Sequence, residues 1–194
     1  MSAAKIKTFD VDDLDRSITD NDRLIMAETI LAWADLDTGI SRLIMLVFDL
    51  DESSGSGSIL IGNMDLKTKA EKIKVLYDHI GNKAAATNMS KLITAMKEYS
   101  FCRNAVAHRK VIGRMTSDPT RIAFLSAKHV KGEVGKYEIL AIDHSEFIAS
   151  AKFARAASVK VHELMIKFED SGDDRANSEP SVAQTVSFGV VKTM

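Results

Sequence analysis

Between Tyr99 and Lys110 the chain reads Tyr-Ser-Phe-Cys-Arg-Asn-Ala-Val-Ala-His-Arg-Lys, and here residue types and spacing suit chemistry. Arg103 is followed by a polar residue, Asn104, then by Ala105, Val106 and Ala107, and then by His108. A histidine can exchange a proton near neutral pH. An arginine stays charged and can fork onto the oxygens of a developing anion. Asn104 is placed to hold either the histidine tautomer or a bound anion. The small residues between keep the surface low enough for another surface to approach. Each group also has a structural alternative. Arg103 could pair with Glu28, Asp35 or Glu98, and His108 could complete a helix C-terminus, where a cation interacts well with the dipole.

Spacing adds a condition. Five residues on an α-helix correspond to a rotation of about 140°, so Arg103 and His108 diverge on one isolated helix. A two-fold pair of chains across that helix would bring two arginines and two histidines together.

Periodicity supplies the elements that position them. A long helix starts near Asp20, with Thr19 or Asp20 as its cap, and carries Leu24, Ile30, Leu31, Leu36, Ile40, Leu43, Ile44 and Val47 at helical spacing. The stretch Asp51–Ser58, rich in Ser and Gly, reads as a flexible connection. Asp65 caps a second helix bearing Leu66, Ala70, Ile73, Tyr77 and Ile80, and Gly81 stops it. A third helix runs from about Lys83 to Lys110 and carries the motif at its end, with Gly113 and Pro119 marking the loop beyond. Residues 121–127 and 136–142 alternate as two short strands around a Lys131-Gly132 turn. Asp143 or Ser145 then caps a last helix to about Phe168. The expectation is a mainly α protein: an up-and-down bundle of about four helices, with a small antiparallel β-hairpin at about 121–142 before the last helix. An acidic, loosely docked arm (1–19) precedes the helical domain (20–170), and a tail (171–194) follows it.

Charge is unevenly distributed. Residues 1–60 hold 5 Lys or Arg against 12 Asp or Glu, whereas residues 61–136 hold 15 against 6. A basic middle is what a polyanion requires; the alternative is that basic and acidic segments neutralise each other in the fold or across an oligomer. The single cysteine, Cys102, excludes a disulfide within the chain and fits a reducing compartment. It reads as inert packing rather than an activated thiol. The first residues contain no apolar stretch resembling a signal peptide. The longest apolar run, Leu43–Phe48, is far too short to span a bilayer. The expectation is a soluble, cytoplasmic protein. His79, His129, His144 and His162 are scattered without zinc-ligand spacing, and Gly55-Ser56-Gly57 lacks the lysine of a phosphate loop. No metal or cofactor is expected.

Arg, a polar residue, a short apolar gap and His, at the end of the third helix of a helical chain, resembles the HEPN family over roughly residues 20–112. That resemblance implies a helical domain that forms a homodimer, with motif helices of both chains lining one cleft. It also implies metal-independent endonuclease activity on RNA. Arg103 and His108 match the family's catalytic pair, and Asn104 its polar position. Some toxin-type members have a tyrosine two residues after the histidine, where this chain has Lys110. RNA carries its own nucleophile, the 2′-hydroxyl, so cleavage would leave a 2′,3′-cyclic phosphate. Lys67, Lys74, Arg109, Lys110 and Arg114 are the expected RNA contacts. A toxin or defence effector, with an antitoxin or regulatory protein as partner, is the implied setting. A silent RNA- or protein-binding module and a structural helical dimer are the alternatives.

Overall fold

The computed structural model describes residues 13–48, 50, 55–129 and 137–175; the side chains at 56, 58, 126–129, 137, 138 and 167–175 are outside the description. The tail from 176 onward and the turn at 131–132 therefore lie outside the described residues. In chain order the elements are β1 (Leu14–Asp15), α1 (Asp20–Val47), α2 (Ser56–Gly62), α3 (Leu66–His79), α4 (Lys83–His108), β2 (Lys110–Met115), β3 (Arg121–His129), β4 (Tyr137–Asp143) and α5 (His144–Arg175). The chain is mainly helical, with a small antiparallel sheet before the last helix. It divides into two compact units: residues 1–33 with 98–152, and residues 34–97 with 153–194.

The first unit holds the sheet, in the order β1-β2-β3-β4, every neighbour antiparallel. The expected hairpin is thus β3 and β4, extended on one side by β2 and the two residues of β1. Residues 110–115, expected as the helix end and a loop, form β2 because α4 stops at His108 and the chain reverses onto β3. Gly113 makes this possible. At φ 143° a Cβ there would stand 2.1 Å from the Asp15 carbonyl oxygen, so only glycine lets β1 lie this close. The ladder shifts register at the same place, between Val111 and Gly113.

One sheet face is apolar and packs on helices: Ile122, Phe124, Leu140 and Ile142 cluster with Met26 of α1, Cys102 and Ala105 of α4, and Phe147 of α5. Burial of such side chains is the main stabilising term, about 1.5–3 kcal/mol each. The other face gathers Met115, Ala123, Ile139 and Ala141. Ser150 joins helices by polar bonds, accepting from Trp33 Nε1 at 2.9 Å and donating to the Tyr99 carbonyl at 2.7 Å. The described part of the acidic arm is not loose. Asp13 accepts from Ser117 N at 2.7 Å, and Leu14 and Asp15 pair with Met115 and Arg114.

In the second unit the expected α3 boundaries hold. Asp65 accepts from Thr68 N at 2.7 Å as the N-cap. At the other end Gly81 has φ 79°, Asn82 N donates to the Tyr77 carbonyl at 2.8 Å, and Gly81 N to Asp78 at 3.2 Å, a Schellman stop. Asn82 then caps α4 through Ala85 N at 3.1 Å. Part of the expected flexible connection is helical, since α2 begins at Ser56 and buries Ile61. Lys69 is buried with its ammonium 2.8 Å from Asp37 and 2.9 Å from Ser41, which ties α3 to α1. No helix among the described residues is long and apolar enough to cross a membrane.

Candidate functional site

The last two turns of α4 separate into a core side and a solvent side. Cys102 and Ala105 are buried, and Val106 and Arg109 half-buried, whereas Arg103, Asn104, Ala107 and His108 are all exposed. At about 100° per residue these four cover one continuous arc of about 140°. Arg103 and His108 bound that arc and the methyl of Ala107 lies inside it. The rotation that separates the pair therefore still leaves both on the solvent side of their helix.

Arg103 Nη1 donates to Asn104 Oδ1 at 3.0 Å. Asn104 thus orients the arginine, not the histidine tautomer. Among the described residues Arg103 makes no ion pair, so the structural alternative, a link to Glu28, Asp35 or Glu98, is not formed. His108 is the last residue of α4, one turn beyond Asn104, and its side chain makes no hydrogen bond with any described residue. Arg109 N closes the helix onto the Ala105 carbonyl at 3.0 Å. Next to Arg103, Cys102 is inert. Burial, aided by the Glu146 charge, pushes its thiol up to about 12.

The expected RNA contacts fare unequally. Lys110, the first residue of β2, is exposed and makes no ion pair among the described residues. Arg109 is half-buried, with Nη1 enclosed and without an acceptor among the described residues. Arg114 is committed to the fold: Nη2 donates to Asp15 at 2.8 Å and to Ser17 at 3.2 Å, and Nε lies 3.8 Å from Asp22. Lys67 and Lys74 belong to the other unit, on α3, where they pair with Glu71 at 3.2 Å and Asp78 at 2.9 Å.

A second histidine–arginine group went unnoticed in the sequence. Asp22, fully buried, accepts from Thr19 N at 2.8 Å and Thr19 Oγ1 at 2.6 Å, while Thr19 Oγ1 accepts from Asp22 N at 3.2 Å. This is a capping box at the start of α1. His144 Nε2, from the first residue of α5, lies 2.7 Å from the other Asp22 oxygen. Burial alone would raise the Asp22 carboxyl, but hydrogen bonds from Thr19 and His144 outweigh it and hold it below the usual range. Asp15 falls to about 2, first through its bonds from Ser17 and then through Arg114. The pattern Thr19-x-x-Asp22 was a visible signal for the cap. Nothing local points from Asp22 to His144, which is 122 residues away.

No group of three or more His, Cys, Asp or Glu placed to hold a metal ion occurs among the described residues. No protein family, curated protein or solved structure matches the chain.

Proposed function

We propose that the chain is a metal-independent endoribonuclease of HEPN type, acting as a toxin or defence effector, with Arg103 and His108 as its catalytic pair. The observation that carries this reading is the exposed arc Arg103–Asn104–Ala107–His108, in which a cation and a proton-transfer group face solvent and neither side chain makes an ion pair with a described residue. In the reaction, the 2′-hydroxyl of RNA attacks the adjacent phosphorus and its proton passes to a His108 imidazole. Arg103, aimed by Asn104, stabilises charge on the non-bridging oxygens. The P–O5′ bond breaks, and the departing oxygen takes a proton from a second imidazolium, that of a second copy paired across Ala107. The products are a 2′,3′-cyclic phosphate and a 5′-hydroxyl. Lys110 and Arg109, next along the chain, hold the flanking phosphates.

One observation favours a silent RNA- or protein-binding module instead: no described residue fixes the tautomer of His108. The test is incubation of the full chain with unstructured RNA in EDTA, followed by analysis of the new ends. Cyclic phosphate ends that vanish in folded His108→Ala and Arg103→Ala proteins support the enzyme. RNA bound but never cut by the wild type selects the silent module. Neither binding nor cleavage overturns both.

A further inference from the structure

The outward face of α1 carries an apolar pattern that stays exposed among the described residues. Met26, Thr29, Trp33, Leu36 and Ile40 are buried along one side of this helix. On the opposite side Leu24 is 58 % exposed and Leu31 63 % exposed. Ala27 and Ala34 are exposed between and beyond them. The spacing Leu24, Ala27, Leu31, Ala34 runs three, four, three, which is the seam of a heptad repeat. Single exposed leucines are ordinary on protein surfaces. Two of them one heptad apart, with alanines that let another backbone come close, form a continuous stripe.

We propose that this stripe packs against the same stripe of a second copy, the two α1 helices running parallel about a two-fold axis. The flanking charges choose this occupant. Arg23 precedes Leu24 and Glu28 follows Ala27, the two positions that meet across a parallel pair, so each Arg23 faces the partner's Glu28. The contact is self-complementary and forms twice. In an antiparallel pair, Glu28 and Asp35 would face the partner's Glu28 and Asp35, which is repulsive. Anionic lipid is disfavoured by the same acids, with Asp20 added at the helix start. Arg23 also bonds Asp20 within its own helix at 2.7 Å, and its guanidinium keeps further donors for the partner. Two heptads bury less than the ~1,200 Å² typical of stable complexes, which places the association in the weak, concentration-dependent class. This contact does not rest on the RNA reading, since it uses no residue of the α4 arc.

Light scattering of the full chain over a micromolar to sub-millimolar range tests it, with circular dichroism confirming the fold of each variant. The mass should rise with concentration. Leu24→Glu with Leu31→Glu should weaken that association at least ~100-fold. Arg23→Glu alone and Glu28→Arg alone should each weaken it about tenfold, and the two together should restore it to within about threefold of the wild type. A constant monomer mass, leucine variants that associate like the wild type, or a double charge reversal that fails to restore association would each overturn the proposal. RNA cleavage is read separately, through Arg103 and His108.

Discussion

The first unit contains two arginine–histidine groups, and the fold treats them in opposite ways. Arg114 and His144 converge on the carboxylates of Asp15 and Asp22, tying the arm, α1, β2 and α5 together, although Arg114 Nε is enclosed at 3.8 Å from Asp22, too far for a hydrogen bond. Arg103 and His108 lie at the end of α4, and among the described residues their side chains have only Asn104, bonded to Arg103, as a partner. Residue type is the same in both groups, and partnership differs. Burying charges carries a desolvation cost that their partners must offset, and removing one partner from such a cluster costs several kcal/mol more, about 3–5. An exposed cation held only by its sequence neighbour, and an exposed imidazole, cost the fold little and stay available to a ligand.

The contrast is broken most directly by activity. His108→Ala should lower RNA cleavage by about 10²–10⁴-fold, the usual worth of a proton-transfer group, while changing unfolding free energy by no more than about 0.5 kcal/mol. Single-turnover cleavage and urea unfolding of the same preparation measure the two. A stable, fully active His108→Ala protein would erase the functional side of the comparison.

The structural group should respond in the opposite sense. Asp22→Ala leaves the Thr19 and His144 donors facing a buried void and removes the α1 capping box. A loss of about 3 kcal/mol is expected in denaturant unfolding. Gly113→Ala comes next, at about 2 kcal/mol or more, since its Cβ would collide with the Asp15 carbonyl at a φ that L-residues avoid. Hydrogen exchange at residues 13–17 should rise in that variant. Unchanged protection would show that the arm does not depend on this contact.

The smallest effect is in pH. Asp22 and Asp15 both sit below the ordinary carboxylate value of 3.8 in the folded chain, Asp15 at about 2. A depressed folded pKa means that the native state favours the ionised form. Its contribution is therefore complete above the unfolded pKa and is lost as pH falls through the folded one. Wild-type stability should decline from about pH 4 toward pH 2, and Asp22→Asn should flatten that decline. A steeper decline in the variant would reverse the assignment.

What could be read in the chain itself was local. Helical spacing of apolar residues placed α1, α3, α4 and α5, because 3.6 residues per turn imprints on any amphipathic helix. Asp65 and Gly81 announced the ends of α3, because their partners, Thr68 and Asp78, are only a few residues away. Alternation in 121–127 and 136–142 foretold β3 and β4, which pair antiparallel. The exposed motif residues Arg103, Asn104 and His108 were legible for the same reason, being neighbours on one helix. Tertiary structure alone decided the rest. β2 looked like a loop because Gly113 and Pro119 are turn residues, and only the approach of β1 explains the glycine. α2 was hidden in a Ser- and Gly-rich stretch, where burial of Ile61 overrides weak helix propensity. Arg114 looked like a free basic residue until Asp15, 99 positions earlier, claimed it. His144 looked isolated until Asp22 met it across 122 positions. Pairings between distant residues leave no periodic trace, because folding, not spacing, brings such groups within hydrogen-bond reach.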